Sequence, residues 1–423
     1  MKVAVVGGGI TGLVAAYEAA SRGASVELYE AGPRLGGKLL TSAFCGRLVD
    51  EGPDAFLARV PHAVALCREL GLGDELVAPA AGRAYVWTRG ALRPLPEGLV
   101  LGVPTDLAAV ARSGILSGRG LARASLDLVL PRSRFGDDPS VAEVVTARFG
   151  REASERLVEP LVGGIHAGRT DQLSVASVAP QLAGAVAKSR SLLLGLRGVT
   201  PSLDGPVFLA PRGGMQQLVD RLVERVHELG VDVRLNSPLS TLPVADRVVL
   251  AVPAPVAGRL LGSAPLLEIA HASVVLVTLA YSDVDLPEGS GFLVPRVDGW
   301  LMTACSFGSQ KWPHWGGPGT AVLRLSAGRA GDNRAMAMSD AEVVAALRAE
   351  LAESIGVRAE PVEVRVSRWV DGFPQYAPGH AARVAAIRAA LARDLPHVRI
   401  AGSPVDGVGI PACIASARTA AAV

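Results

Sequence analysis

Residues 3–12, VAVVGGGITG, decide the fold of this chain. The four apolar residues predict a short buried strand, and the periodicity that follows predicts a helix over Ile10–Arg22. Gly7, Gly9 and Gly12 form a GxGxxG motif in which the first glycine permits a tight turn and the second lets a pyrophosphate approach the backbone. The third lets the helix pack close to the strand. The first helical residues, Ile10 and Thr11, would offer N–H groups and a positive dipole end to the phosphates.

Gly23 ends the predicted helix, a second strand is predicted over Ser25–Tyr29, and Glu30 follows directly at its end. That position suits a carboxylate that binds ribose hydroxyls. The α/β pattern returns from residue 211, with a predicted helix over Met215–Glu228 and a predicted strand over Arg247–Val252. Together these segments predict an α/β fold with a Rossmann-like domain of the two-dinucleotide-binding-domain type.

Composition sets the class of protein. The chain has 423 residues, 49% hydrophobic and 19% charged, which indicates a globular protein of two or three domains. A net charge of +2 and 4% aromatic residues argue against nucleic acid as a partner. No apolar run reaches the length of about 18 residues that a membrane-spanning helix needs. Four scattered cysteines predict neither a zinc site nor a disulfide framework, so we expect no metal. The start of the chain lacks a secretory pattern, so we expect a cytoplasmic location.

Residues 30–38 read EAGPRLGGK, which resembles the E-x-x-x-R-x-G-G-[RK] signature of flavoproteins in the amine-oxidase superfamily. The resemblance implies non-covalent FAD as the cofactor. It implies that Ala31, Arg34, Gly37 and Lys38 lie near the phosphates and the ribityl chain. It also implies that the following loop lies beside the flavin ring, with residues Gly52, Pro53, Asp54 and Ala55.

Residues 402–411, GSPVDGVGIP, resemble the closing FAD motif of the same superfamily. The resemblance implies that a glycine-rich turn and the start of the next helix face the pyrimidine end of the flavin, through Gly402, Val408, Gly409 and Ile410. By the same resemblance, Leu239 lies where a residue contacts the adenine. Trp369 lies where a tryptophan commonly covers the cofactor, although a buried core tryptophan is the competing interpretation.

Residues 159–168, EPLVGGIHAG, resemble the E-P-L-x-x-G-I-Y-A-G string of porphyrinogen oxidases, and the segments KWPH at 311–314 and PQY at 374–376 agree with it. The match covers essentially the whole chain and is strongest to the bacterial, Gram-positive-type coproporphyrinogen III oxidases. It implies a six-electron oxidation of a porphyrinogen in haem biosynthesis, with oxygen as acceptor and hydrogen peroxide as product. It also implies a ferrochelatase-type partner. Flavin N5 would accept the hydride, so no side chain is predicted to be catalytic.

Three domains follow from the resemblance and the pattern of elements. We expect a FAD-binding domain from residues 1–50, 205–262 and 386–423. A mixed-sheet substrate-binding domain would comprise 51–61, 183–204 and 263–385. Residues 62–182 would form a helical insertion that faces a membrane or a partner.

The chain departs from the family at the substrate. His166 replaces the tyrosine of the G-I-Y-A-G string, and we interpret it as a packed residue. Plant mitochondrial-type relatives carry a propionate-binding arginine where this chain has Ala84, and Arg83 one position earlier would point to the other face of a strand. The remaining candidates for substrate contact are Arg59, Phe292, Leu293, Thr303 and Ser326.

Several alternatives stay open at this point. Protoporphyrinogen IX is the alternative substrate. More distant alternatives are another FAD amine oxidase or desaturase, and a flavin-bound carrier without turnover. Five arginines lie among apolar residues of the insertion and predict either peripheral contact with an anionic membrane or a solvated helix face; they are Arg112, Arg119, Arg123, Arg132 and Arg134.

Overall fold

The computed structural model describes residues 1–197 and 205–422. Residues 198–204 and 423, which belong to the predicted segments 183–204 and 386–423, lie outside the described residues. The chain divides into two compact units. The first comprises Met1–Ala78, Gly205–Ala270 and Ala381–Val423, and the second comprises Pro79–Asp204 and His271–His380. The division into three domains stays a prediction.

The strands, in chain order, are β1 (Lys2–Val6), β2 (Ser25–Tyr29), β3 (Thr41–Phe44), β4 (Arg47–Asp50), β5 (Phe56–Leu57), β6 (Leu76–Val77), β7 (Ala84–Thr88), β8 (Ala91–Pro94), β9 (Leu99–Val100), β10 (Val103–Pro104), β11 (Phe208–Pro211), β12 (Asp232–Arg234), β13 (Arg247–Leu250), β14 (His271–Ser282), β15 (Gly291–Leu293), β16 (Met302–Phe307), β17 (Thr320–Ala327), β18 (Glu363–Pro374) and β19 (Val398–Ile400).

The α-helices are α1 (Ile10–Ser21), α2 (Pro61–Glu69), α3 (Leu107–Ser113), α4 (Gly118–Ser125), α5 (Val141–Phe149), α6 (Arg151–Ala153), α7 (Gly164–His166), α8 (Val175–Val178), α9 (Pro180–Lys188), α10 (Leu192–Arg197), α11 (Met215–Glu228), α12 (Ala254–Leu261), α13 (Ala264–Leu267), α14 (Gly308–Lys311), α15 (Arg334–Ala337), α16 (Asp340–Ile355), α17 (His380–Asp394) and α18 (Ile410–Ala421). A π-helix, Ser154–Gly163, precedes α7, and short 3-10 turns cover Gly73–Glu75, Leu126–Leu128, Arg296–Asp298 and Pro313–Trp315. Among the described residues, none of these helices combines the length and the apolarity needed to cross a bilayer.

The first unit is built on a parallel five-stranded sheet with the order β12-β2-β1-β13-β19. From β1 the chain adds β2 and later β12 on one side of β1, and it then adds β13 and β19 on the other side. Such a reversal leaves a crevice at the carboxyl ends of the two central strands, which is where doubly wound sheets bind their ligands. The α/β, Rossmann-like prediction is therefore confirmed, and α11 has the bounds that the sequence predicts.

The second unit contains a mixed seven-stranded sheet with the order β18-β14-β17-β16-β15-β7-β8. Only β15 and β7 pair in parallel. One face packs against α16 through fully buried side chains such as Val277 and Leu347. The strands β7 and β8 fall within residues 62–182, where we predicted a helical insertion. Their sequences, AYVWT and ALRP, join the sheet because the aromatic and β-branched side chains of β7 fit its pleated surface.

Candidate functional site

The three motif glycines after β1 have three different environments. Gly7 has a φ of +104°, and a Cβ there would lie 2.4 Å from the carbonyl oxygen of Ala251, so the turn fits tightly against the end of β13. A Cβ at Gly12 would lie 1.7 Å from the carbonyl oxygen of Gly7, so α1 packs directly on the turn. At Gly9 the nearest atom would be the Cα of Gly37, 3.9 Å away. Only Gly9 therefore leaves open space above the backbone for a ligand.

The start of α1 lies at the carboxyl ends of the central strands. The Ala251 N–H donates to the Val6 carbonyl at 2.8 Å, and the Ala401 N–H donates to the Leu250 carbonyl at 3.0 Å, so these strand ends are aligned. Gly9 is the N-cap of α1 and supplies no side-chain acceptor to the first N–H groups. Uncapped N–H groups and a positive dipole end make this position suitable for an anionic group such as a pyrophosphate.

Glu30 holds the loop that follows β2. Its carboxylate accepts hydrogen bonds from the Gly8 N–H at 2.6 Å and from the Gly32 N–H at 2.8 Å, one on each oxygen. Each carboxylate oxygen can accept a second hydrogen bond. Glu30 can therefore fix the glycine turn and still accept a ribose hydroxyl.

Arg34 has a role in the structure that the sequence does not predict. Its guanidinium donates to the carbonyls of Leu35 at 3.1 Å and Gly37 at 2.6 Å, which folds the second glycine loop around it. A Cβ at Gly37 would lie 3.0 Å from the Cα of Gly9, so the two glycine loops touch. The contact of Arg34 with phosphates stays a prediction, whereas its bracing of the loop is observed.

The glycine-rich turn after β19 returns to the start of α1. Gly402 has a φ of +96°, and a Cβ there would lie 2.8 Å from Oγ1 of Thr11. The Gly402 N–H donates to Oγ of Ser416 at 2.7 Å, and both Ser416 and Arg388 hold the Asp406 carboxylate, the arginine through two contacts of 2.8 Å. These bonds fix the turn that leads into α18.

The N-terminus of α18 provides a second polar end near α1. Gly409 is its N-cap and again supplies no side-chain acceptor. The Cys413 thiol in the next turn donates to the Gly407 carbonyl at 3.6 Å and interacts with Thr11 and Lys38. Burial raises the pKa of the Cys413 thiol, which keeps it neutral.

Gly9, Thr11, Gly402 and Cys413 form a site that we call the cradle, and Lys38 is its half-buried cation. Desolvation lowers the pKa of its ammonium group, and no carboxylate of the described residues forms an ion pair with it. An ammonium group that has lost water without gaining an acidic partner fits an anionic or electron-rich ligand. Two uncapped helix ends, an open glycine and this cation together suit a bound dinucleotide.

The other predicted residues of the first unit occupy ordinary positions in its loops. Gly52 and Asp54 are buried, Ala55 is half-buried, and Pro53 and Arg59 are exposed on either side of β5. Leu239 is half-buried and packs on the apolar cluster that covers the sheet. Ala31 and Gly409 are exposed, Val408 is half-buried, and Ile410 is buried. Contact of these residues with a cofactor stays a prediction.

The predicted substrate residues of the second unit do not share one face of its sheet. Phe292 lies on the core face and meets Phe307 edge-on at 6.1 Å, whereas its neighbour Leu293 points to the opposite face. Ser326 pairs with Ala304, which pairs with Leu293, so Ser326 shares the face of Leu293. Phe292 and Leu293 therefore cannot both contact one ligand bound on one face.

Two further predicted residues of this unit have defined positions on the strands. Thr303 lies at a bulge between β16 and β17 and donates to the Ser326 carbonyl at 3.1 Å. Trp369 is half-buried on β18, opposite Val274.

His166 is packed, as the sequence suggests. Its side chain is 7% exposed, and burial holds its pKa at about 4, so the imidazole is neutral near pH 7. Nδ1 has no hydrogen-bond partner among the described residues. The following Ala167 has a φ of +46°, and Gln375 donates to the His166 carbonyl at 3.0 Å, which fixes the turn.

Sequence reasoning missed the contribution of Cys413. The thiol comes from the end of the chain and meets Thr11 and Lys38 from its beginning, and no spacing in the sequence signals such a contact.

Comparison with known proteins gives a consistent result over the full length of the chain. The family of flavin-containing amine oxidoreductases matches residues 10–423. The chain is similar to the coproporphyrinogen III oxidase of Bacillus subtilis (strain 168), with 35% identity over 99% of this chain and 96% of that protein. It is also similar to the coproporphyrinogen III oxidase of Mycobacterium leprae, with 38% identity over 98% of this chain and 96% of that protein. The crystal structure of a proposed protoporphyrinogen oxidase from Exiguobacterium sp. 255-15 superposes with a TM-score of 0.90 at 34% identity, covering 99% of this chain and 97% of that chain.

Proposed function

The chain belongs to the family of flavin-containing amine oxidoreductases, and from that premise we propose that it is a coproporphyrinogen III oxidase. The observation that carries this proposal is the full-length similarity to two enzymes of that name, at 35% and 38% identity. The cradle at the glycine turn supports the cofactor half of the proposal, because it offers an anionic dinucleotide two uncapped helix ends and a cation.

The chain uses a flavin, and we propose that it is FAD, held without a covalent bond. The N–H groups at Gly9, Ile10 and Thr11 would bind the pyrophosphate, and Glu30 would accept the ribose hydroxyls. The start of α18 would face the flavin. Since the positive ends of α1 and α18 and the Lys38 ammonium lie in one cradle, this chain favours negative charge there.

FAD, when bound, supplies the acceptor for the hydride that leaves the substrate. The net reaction converts coproporphyrinogen III and three molecules of oxygen into coproporphyrin III and three molecules of hydrogen peroxide, so six electrons and six protons leave the substrate. The chain itself binds and orients the two molecules and excludes water from them. Arg59, exposed beside β5, is proposed to contact a propionate of the substrate.

Protoporphyrinogen IX is the second candidate substrate. It is favoured by the similarity to the Exiguobacterium structure, whose proposed assignment is a protoporphyrinogen oxidase. The two substrates differ in charge, because coproporphyrinogen carries four propionates and protoporphyrinogen carries two.

The direct test is growth of porphyrin fluorescence in air with purified, FAD-loaded protein and each porphyrinogen separately. Flavin-free protein and buffer alone are the controls for autoxidation. We expect flavin-dependent oxidation with a preference for coproporphyrinogen III and release of peroxide. Preference for protoporphyrinogen IX would favour the second candidate, and no flavin-dependent rate with either substrate would refute both.

We further propose peripheral contact with an anionic membrane, where the product would pass to a ferrochelatase-type enzyme. Leu126 and Val129 are 45% and 68% exposed and follow the exposed Arg119. By contrast, Arg123 and Arg132 donate to carbonyls at helix ends and are committed to the fold. Co-sedimentation with phosphatidylserine vesicles should therefore fall for Leu126→Ser but not for Arg123→Lys, and equal binding of both variants and the wild type would count against this surface.

A further inference from the structure

Arg329 is a buried cation whose hydrogen-bonding capacity the protein leaves unused. It is 6% exposed, and its Nε has no hydrogen-bond partner among the described residues. The nearest carboxylate oxygen belongs to Glu159 and lies 3.9 Å from Nη1, which is beyond hydrogen-bond distance. A guanidinium carries five N–H donors, and a buried charged donor without an acceptor costs free energy. The site therefore lacks an acceptor.

The backbone fixes Arg329 at this position. Gly328 before it has a φ of +93°, and a Cβ there would lie 2.6 Å from the carbonyl oxygen of Ser273. On the other side, the Ala330 N–H donates to the Ala167 carbonyl at 2.7 Å. The turn that carries Arg329 is thus held on both sides by the protein itself, and its position does not depend on a ligand.

Glu159 is an incomplete partner for Arg329. It is 8% exposed, and the backbone N–H of Arg296 donates to its carboxylate at 3.3 Å. Burial raises the pKa of the Glu159 carboxyl group and lowers the pKa of the Arg329 guanidinium, and for each group desolvation is a larger cause than attraction by the other. The pair alone therefore does not compensate for the water that both groups have lost.

The charges around Arg329 do not balance. The charged side chains that face it are Glu159, Asp332, Arg296 and Arg334. Arg334 donates to both oxygens of Asp332, at 2.9 and 2.8 Å, so these two groups neutralise each other. Arg169 and Asp171, which adjoin Glu159, form a second neutral pair of this kind. Arg296 is half-buried and forms no ion pair with a carboxylate of the described residues, so two arginines share Glu159 and one positive charge is unmatched.

An anion with a single negative charge would correct this imbalance. Water would satisfy the donors but brings no charge, whereas a carboxylate brings one and matches the planar guanidinium. We propose that Arg329, together with Arg296, binds the carboxylate group of a ligand. A propionate of the porphyrinogen is one source of that group, and this choice rests on the proposed function. A free carboxylate anion such as acetate has the same chemistry and is the other source.

The test measures both sources on flavin-loaded protein. Binding of coproporphyrin III is followed by its fluorescence, and binding of acetate by the rise in melting temperature over sodium chloride at equal ionic strength. In Arg329→Gln the Kd for coproporphyrin III should rise at least about tenfold, and the stabilisation of the wild type by acetate should disappear. Arg358→Gln, at an exposed arginine between α16 and β18, is the matched control and should behave as the wild type does.

Glu159→Gln separates an anion site from a purely structural ion pair. It removes the competing carboxylate, so Arg329 and Arg296 should bind coproporphyrin III and acetate about tenfold more tightly. A structural ion pair would lose stability in this variant with no gain in affinity. Flavin content and melting temperature show whether Arg329→Gln folds. If it does not, Arg296→Gln, which should weaken binding, and Glu159→Gln, which should strengthen it, decide the question.

The outcomes distinguish this site from the proposed function. Coproporphyrin III tetramethyl ester carries no carboxylate and should bind all folded variants alike; an equal loss of ester binding would refute a propionate as the ligand. If only acetate depends on Arg329, the site stands and the porphyrinogen is not its ligand. If neither carboxylate depends on Arg329, the site is refuted, while turnover by the wild type keeps the proposed function. If the wild type oxidises neither porphyrinogen but a carboxylate depends on Arg329, the site stands and the proposed function fails.

Discussion

Gly9→Ala and Gly12→Ala form a matched pair that separates binding from folding at the glycine turn. Both changes add one methyl group within one turn of α1. At Gly12 that group would lie 1.7 Å from a backbone oxygen, whereas at Gly9 it would lie 3.9 Å from its nearest neighbour. The structure therefore predicts that Gly12→Ala lowers the stability of the flavin-free protein, whereas Gly9→Ala leaves that stability unchanged and lowers the affinity for FAD.

The magnitudes follow from these distances. Backbone surrounds the Gly12 methyl group, so α1 must move off the turn, at a cost of about 3 kcal/mol or more. Gly9 has a φ of −72° that alanine also adopts. There the loss of a glycine N-cap costs about 0.5–1 kcal/mol, and the lower entropy of the unfolded chain returns a similar amount. The added methyl group fills the space that the pyrophosphate would occupy, so one charge-assisted hydrogen bond to it should be lost. That loss weakens FAD binding by about 1.5–3 kcal/mol, which is at least about tenfold in affinity.

The assay is urea unfolding of flavin-free protein together with calorimetric titration of FAD. Gly9→Ala should have the urea midpoint of the wild type and weaker FAD binding. Gly12→Ala should have a clearly lower midpoint. Equal midpoints for the two variants, or wild-type FAD affinity in Gly9→Ala, would refute the assignment of Gly9 to the ligand and Gly12 to packing.

Three further changes test other parts of the structure. Glu30→Gln places an amide NH₂ against one of the two loop N–H groups that donate to the carboxylate. The affinity for FAD should fall, and the protein should lose about 1–3 kcal/mol of stability, seen as a lower urea midpoint. An unchanged midpoint would count against the bracing role of Glu30. Asp127→Ala leaves Arg148 buried without its charge partner and should cost about 3–5 kcal/mol in thermal unfolding. The double change Asp127→Leu and Arg148→Met should recover only the part due to the unpaired charge, because Ser191 and the N–H groups of Leu192 and Leu193 lose Asp127 as their acceptor in both variants. A double variant as unstable as the single one would contradict this account. Burial holds the pKa of His166 at about 4, below its usual 6.5. As the pH falls, the unfolded chain therefore binds a proton at this histidine before the folded protein does. The folded state should lose about 3 kcal/mol of stability between pH 6.5 and pH 4. His166→Tyr should show a smaller difference between the urea midpoints at pH 7 and 4.5, and an unchanged difference would exclude His166 as its source.

Local patterns predicted the nucleotide-binding half of the fold well. Ser25–Tyr29 and Met215–Glu228 have the bounds that periodicity indicates, because each repeats its own period over enough residues to be recognised alone. Within the insertion, a strand near Ala84 was expected only from the family resemblance, and β8 was not expected. β8 pairs with the adjacent β7, whereas β7 pairs with β15 far along the chain, so tertiary contacts decide that this hairpin joins the large sheet.

The sequence predicted only part of the candidate site, again because tertiary contacts decide which side chains come together. Alternation shows that Phe292 and Leu293 point to opposite faces, but it cannot tell which face the core covers. That choice depends on where α16 packs, and the structure places it over Phe292. The approach of Glu159 to Arg329 likewise depends on the packing of distant segments, which the sequence of either segment does not contain.

The sequence by itself determined the kind of fold and the place of the cofactor cradle. The reason is steric and local, since a turn with φ of +104° at Gly7 and a helix packed on its carbonyl admit glycine alone. Only the tertiary structure decided what surrounds that turn. Thr11, Lys38 and Cys413 meet because parallel pairing of β1, β13 and β19 brings both ends of the chain to one edge of a sheet. Contacts between such distant segments depend on the packing of the whole unit, and no local pattern records them.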